Sequence, residues 1–346
     1  MEPLDNIQNR KIDHIKICVT EDVDYKDQNT FDLYQFEHNA LPELNYDEID
    51  QSIEFWGRRF SYPLLLSSMT GGNELAKNIN FDLGLLANEL NIPIAVGSQR
   101  PALENPELIE TYSIVRKKFP NLFLIGNIGA AQLVKNDFTI DKIHKIVEMI
   151  EANAVYIHTN PLQELFQKNG DLGFKGILKQ IEIIVKEVEI PILVKEVGAG
   201  INKEVAEKLL NVGVSGIDVA GASGTNWAKV EMIRNKKVND NFINWGLPTT
   251  YCIKEIAKLK SKYNFTLIGS GGIDNGIKIA KAIALGADFT GSAKAIIKSI
   301  YDNGVEFTYR TILEWMEDLK RVQFLTSSKN INELKNAKLI TKMELY

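Results

Sequence analysis

Lys195 closes the apolar run Ile192-Leu193-Val194, and an ammonium in that place is costly unless an anion stands nearby. Thr70, Ser98 and Asn127 each follow an earlier apolar run and offer small hydrogen-bonding groups of the kind that hold the polar edge of a ring. The stretch His158-Thr159-Asn160-Pro161-Leu162-Gln163-Glu164 adds a second constellation. Glu164 could bind Mg²⁺ directly, because that ion favours one or two carboxylates and fills its remaining positions with water and phosphate oxygens. Gln163 could hydrogen-bond a substrate without carrying charge. Arg100 and the pair Arg10-Lys11 are the cations best suited to a substrate diphosphate. Taken alone, His158 is an ordinary structural histidine and Gln163-Glu164 an ordinary helix start; leaving one strand end together is what makes them a candidate site.

These residues need a frame that gathers strand ends. Residues 266–294 read as a strand (267–269), the turn Ser270-Gly271-Gly272, and a helix carrying Ile277, Ala280, Ile283 and Ala284 at three- and four-residue spacing. A further strand, 287–290, ends in Gly291-Ser292-Ala293. Two neighbouring turns of small residues present bare backbone amides at helix starts, which suits a phosphate group. Six earlier apolar runs, 64–66, 93–96, 122–125, 154–157, 191–194 and 216–219, each end in small or polar residues and lead into helical sequence. Eight strand–helix units without hairpin turns predict an α/β fold, a single (β/α)₈ TIM barrel, over an open doubly wound sheet. The expected organisation is an N-terminal arm and barrel-floor strand (1–60), the barrel (61–300) and a C-terminal helical extension (301–346). The arm reads as extended, with one strand around 15–19 and another near 53–56. The longest interruption, 226–250, falls at the mouth of the barrel, and Trp315, Met316, Leu319 and Val322 give the extension a face that closes the barrel or meets a neighbouring subunit.

Composition narrows the class. The 346 residues are 45% hydrophobic and 25% charged, with a formal net charge of −5, which supports a full core and offers no footprint for nucleic acid. The two cysteines, Cys18 and Cys252, make no metal spacing, and no apolar run reaches membrane-span length, so the expected setting is cytoplasmic, away from any membrane. A lysine near the N1/O2 edge of a flavin stabilises the anionic reduced ring, so Lys195, the polar strand ends and the phosphate turns together describe a site for flavin mononucleotide (FMN).

Arg10-Lys11 with His14, Ser67-Ser68-Met69-Thr70-Gly71-Gly72, Gly97-Ser98-Gln99-Arg100, Asn127-Ile128-Gly129, 158–164, Lys195-Glu196-Val197-Gly198 and Gly221-Ala222-Ser223-Gly224-Thr225 stand in an order and spacing that resembles the type 2 isopentenyl-diphosphate isomerases, from about residue 7 to residue 325. The resemblance implies FMN- and Mg²⁺-dependent interconversion of isopentenyl diphosphate and dimethylallyl diphosphate, with NADPH or NADH keeping the flavin reduced, in a cytoplasmic homo-tetramer or homo-octamer. It implies that Ser67, Ser68, Met69, Thr70, Ser98, Asn127, Lys195, Ser223 and Thr225 bind FMN, with Gly271, Gly272, Asp274, Ala293 and Lys294 around its phosphate. Arg10, Lys11, Ser98, Gln99, Arg100, His158, Asn160 and Gln163 would contact substrate, Glu164 the metal, and Gln163, Lys195 and His158 would form the catalytic set. Asp274 is awkward beside a phosphate, so its carboxylate is expected to turn away while its N–H serves, and Lys294 could supply compensating charge.

Competing readings keep the same barrel. A 2-hydroxy-acid oxidase needs a base such as histidine near the late strands, yet the four histidines, His14, His38, His144 and His158, all precede residue 160. An inosine-monophosphate dehydrogenase needs a nucleophilic cysteine after the sixth strand, and 221–227 holds none. A non-catalytic phosphate-binding barrel would leave the polar strand ends without a purpose.

Overall fold

The computed structural model describes residues 4–26 and 30–345; the parts of the expected arm and extension at 1–3, 27–29 and 346 lie outside the described residues. Eight parallel strands close on themselves: β1 (Leu64–Leu66), β2 (Ile94–Ala95), β3 (Leu124–Gly129), β4 (Ala154–His158), β5 (Ile192–Lys195), β6 (Gly216–Asp218), β7 (Thr266–Ser270) and β8 (Phe289–Ser292). Closure is made by β8 pairing with β1, Thr290 to Leu64 and Ser292 to Leu66. Almost every strand residue is buried, because helices cover the outer face and side chains fill the interior. In the register, Lys195 of β5 lies beside His158 of β4 and Asp218 of β6.

The floor is sealed by a two-stranded hairpin, Ile53–Phe55 with Arg58–Phe60. Trp56 at its tip stacks on Phe123 at 4.9 Å and on Phe289 at 5.6 Å, ring centre to ring centre. These offset stacks close the bottom of the barrel with aromatic surface.

The arm departs from expectation: it is the helix α1 (Leu4–Thr20), with no strand at 15–19. Ile15, Ile17 and Val19 alternate as a strand would, but the residues actually buried are Ile15, Cys18 and Val19, a spacing of three and four that a helix satisfies. The interruption at 226–250 also contains a helix, α3 (Trp227–Arg234), after the short α2 (Pro161–Phe166) in chain order. Its cap, Asn226, accepts a hydrogen bond from the Lys229 N–H. Helices α4 (Gly276–Ala284) and α5 (Lys294–Asn303) follow β7 and β8. The long α6 (Val305–Leu325) packs between α4 and the helix Glu74–Leu90, with Ile312, Trp315, Met316 and Leu319 in the common core, so it completes the outer ring. Among the described residues no helix is long and apolar enough to cross a membrane.

Candidate active site

At the C-terminal ends of the strands lies a cavity of about 480 Å³, roofed on one side by α1. One end is a cup of main chain. Gly271 and Gly272 carry φ of +102° and +81°, and a Cβ on either would fall 2.3 Å or less from the carbonyl oxygens of Gly221 and Ser223. Only glycine permits that approach of the β6 and β7 turns. Ser270, Ser292, Ala293, Lys278 and Lys294 complete the cup, at the starts of α4 and α5. The Asp274 carboxylate, just ahead of α4, is neutralised by Lys278 in the first turn of that helix at 2.8 Å. Lys294 is paired with Asp24 of the arm, and Asp24 also forms an isolated bridge with Thr225.

Along the wall, Ser67 Oγ and Thr70 Oγ1 are buried and have no partner. Buried orphan hydroxyls facing a cavity beside a glycine cup fit a ligand that carries both acceptors and a phosphate, as FMN does. Asn127 Nδ2 donates to Ser68 Oγ at 2.7 Å, and its Oδ1 lies 2.7 Å from His158 Nδ1. Burial, with Lys195 and Lys11 nearby, pushes the His158 imidazole down to about 3, so it stands neutral at physiological pH. Lys195 is buried with its ammonium on the Glu196 carbonyl at 2.6 Å. Burial lowers its affinity for a proton, and the Asp218 and Glu196 carboxylates act against that lowering. Met69, Ser98, Ser223 and Thr225 also line the cavity, with Ser223 Oγ accepting from the Thr249 N–H.

The other end is cationic, with Arg10, Lys11 and Arg100 on the lining. Lys11 donates to the Ser98 carbonyl and to Tyr112 Oη, both at 3.0 Å. Its ammonium is brought down to about 7 by burial and then by Arg10 and Arg100. Arg100 is held by Glu104 at 2.8 Å and faces Asp171 at 3.4 Å. Beneath them Asn160 Nδ2 donates to Gln163 Oε1 and Glu164 Oε1, while Gln163 Nε2 reaches Glu231 Oε1 at 3.2 Å. His14 Nε2 lies 2.8 Å from the same Glu231 oxygen. Burial alone would raise the Glu231 carboxyl, but His14, Gln163 and Arg234 together hold it below the usual carboxylate range.

Gln99 is wholly buried away from the cavity, donating to the Ile146 carbonyl and accepting the Asn127 N–H, so it braces Asn127 and presents nothing to a substrate in this structure. Glu164 is buried with Oε2 taking the Asp171 N–H and Gln167, and burial raises its carboxyl. No cluster of three or more His, Cys, Asp or Glu side chains able to hold a metal occurs among the described residues. Glu231, Asp218, Lys278 and Asp24 were not singled out from sequence. Glu231 had a signal in retrospect: a carboxylate between Val230 and Met232 in an otherwise apolar stretch of helix.

A parallel barrel with a phosphate cup and orphan ring-edge hydroxyls defines the FMN-binding class, and residues 136–341 match the model of the FMN-dependent dehydrogenase family. The fold superposes on a mandelate oxidase at a TM-score of 0.66 over 92% of this chain and 93% of that chain, with 12% identity. Over its full length the chain is closer to proteins of another name. It is 40% identical to the isopentenyl-diphosphate delta-isomerase of Pelodictyon phaeoclathratiforme, covering 96% of this chain and 97% of that protein. It is also 40% identical to the isopentenyl-diphosphate delta-isomerase of Pyrococcus furiosus, over 96% of this chain and 86% of that one. The chain belongs to the isopentenyl-diphosphate delta-isomerase family.

Proposed function

We propose that this protein interconverts isopentenyl diphosphate and dimethylallyl diphosphate by a 1,3-allylic proton shift, with reduced FMN in the strand-end site. The observation that carries the reading is one cavity lined both by a main-chain glycine cup and by the cations Arg10, Lys11 and Arg100. That arrangement suits two phosphate-bearing ligands held with their other ends together. A 2-hydroxy-acid substrate carries a single carboxylate, which one arginine can pair, so three cations suit a diphosphate better.

When bound, the reduced flavin supplies an electron-rich ring able to give and take back a proton and to stabilise a cation on the substrate. The protein's part is positioning. Ser67, Ser68, Met69, Thr70, Ser98, Asn127, Ser223 and Thr225 would hold the cofactor, with Gly271, Gly272, Asp274, Ala293 and Lys294 about its phosphate. Lys195 would hold a positive charge against the ring. Arg10, Lys11 and Arg100 would fix the diphosphate, and neutral His158 with Asn160 would orient it. Gln163, tied to Glu231, would place the alkene and carry no charge itself.

Glu164 would take magnesium, since a single carboxylate fits that ion when phosphate oxygens and water fill the rest. The expected result is that Mg²⁺ binds measurably in calorimetry only with diphosphate present, and that Glu164→Gln removes this binding. Metal binding equal with and without diphosphate would refute it. NADPH or NADH as reductant, a homo-tetramer or homo-octamer, and a cytoplasmic setting complete the proposal on the strength of family membership.

The Lys11 environment makes binding pH-dependent. Above about 7 the free protein holds Lys11 largely neutral, and a bound diphosphate restores its proton. Substrate affinity should therefore fall by about tenfold per pH unit between that point and the ordinary lysine range near 10. Calorimetry in buffers of differing ionisation heat should register proton uptake that Lys11→Met abolishes; uptake unchanged in the variant would rule this out.

The test of function is anaerobic. The purified protein, loaded with FMN and reduced, should exchange the two isomers with no net consumption of NADPH. Stoichiometric NADPH oxidation coupled to substrate would instead identify an oxidoreductase.

A further inference from the structure

Asp218 is a fully buried carboxylate in the barrel interior that takes no part in the proposed function above. It lies beside Lys195 in the β5–β6 register, and register partners on adjacent parallel strands point their side chains the same way, here inward. Three donors from different strands and turns fix it. Ser270 Oγ of β7 and the Ala220 N–H donate to Oδ1, and Tyr156 Oη of β4 reaches across β5 to donate to Oδ2 at 3.2 Å. All three donors are neutral, so they orient the carboxylate without cancelling its charge. Around Lys195 the charged or titratable groups are Asp218 from β6, His158 from β4 and Glu196 from its own strand end. His158 is neutral, and Glu196, whose Oε2 accepts the N–H groups of Val197, Gly198 and Ala199, is a second carboxylate beside Lys195 that belongs to the same strand end.

We propose that Asp218 is a positioning residue: a rigidly held counter-charge that keeps the Lys195 ammonium protonated before and after the cofactor arrives. The proposal rests on Lys195 facing the flavin. Its consequence is chemical. Reduction of FMN to its anionic form takes two electrons and one proton from the medium; if Lys195 were neutral in the oxidised protein, the new negative charge would draw a second proton onto the lysine. Asp218 thus sets the number of protons that accompany the two electrons.

The decisive measurement uses flavin-free protein, so it is independent of whether the isomerase reading holds. Lysine labelled with ¹³C at Cε is titrated by NMR, with the Lys195 signal identified by its disappearance in Lys195→Arg. Asp218→Asn should move the Lys195 titration down by about one pH unit or more. Ser270→Ala, which loosens the carboxylate but keeps its charge, should move it much less. An unmoved Lys195 in Asp218→Asn, or an equal shift in Ser270→Ala, overturns the proposal. Should Asp218→Asn fail to fold, the coupling is read from the other side, because linkage is reciprocal. Lys195→Met should then raise the Asp218 titration, followed at labelled Cγ, and an unchanged value there also overturns it. In flavin-loaded protein titrated with dithionite, Asp218→Asn should take up two protons per two electrons at alkaline pH where the unmodified protein takes one. A count of one in both defeats the claim.

Discussion

Lys195→Met should emerge from purification with little bound flavin and, when saturated with FMN and reduced, turn over about 10²- to 10³-fold more slowly, the scale of losing one preorganised charge-stabilising group. The ammonium is buried at the end of β5 and spends one hydrogen on the Glu196 carbonyl, leaving the rest for a ligand in the cavity it lines. Methionine keeps the length and removes the charge. Asp218 is then left without its cation and should take up a proton, which erases two charges from the barrel interior. Lys195→Arg separates charge from shape: it should retain more pigment than the methionine variant. Flavin content from absorbance and isomer exchange by ²H incorporation are the measurements. Unchanged pigment and exchange in Lys195→Met would refute the role of this lysine.

The second large effect concerns Gln163 and Glu231. Gln163→Ala should lower turnover about 10²-fold, within the range for a group that positions or relays a proton. Glu231→Gln removes the anion that holds both the Gln163 amide and His14, and should cost a similar factor. Because one side chain acts by holding the other, the double variant should be little worse than either single one. Full additivity of the two effects would mean independent roles and sink this arrangement. His14 links the result to the arm, since the same Glu231 oxygen that receives Gln163 also meets α1.

Fold and site were unequally legible in the sequence. Each barrel strand is an apolar run ending in small or polar residues, so all eight could be read, although the last begins at Phe289 and not at 287. Asp288 faces Lys260 and Lys335; its N–H donates to the Leu267 carbonyl, while its side chain and not its main chain accepts the Leu267 N–H, so regular ladder pairing starts one residue later. Strand-end residues such as Thr70, Asn127 and Lys195 were readable as neighbours because closure gathers them at one mouth. Partners across the barrel were not. That Asp218 stands beside Lys195, or that Glu231 meets Gln163, depends on register and on a helix inside what looked like a loop, and neither leaves a local pattern. The arm is ambiguous in sequence because Ile15, Ile17 and Val19 fit a strand while Ile15, Cys18 and Val19 fit a helix, and only packing against α3 and α5 decides between them.

The aromatic plug formed by Trp56, Phe123 and Phe289 closes the floor of the barrel, which leaves the strand-end mouth as the way in to the cavity. Whatever delivers electrons to the ring must come and go by the same opening as the isoprenoid, so the two must take turns. A slowly departing product would then shield a reduced ring from oxygen and at the same time bar a spent ring from renewal, and raising its concentration should slow recharging competitively.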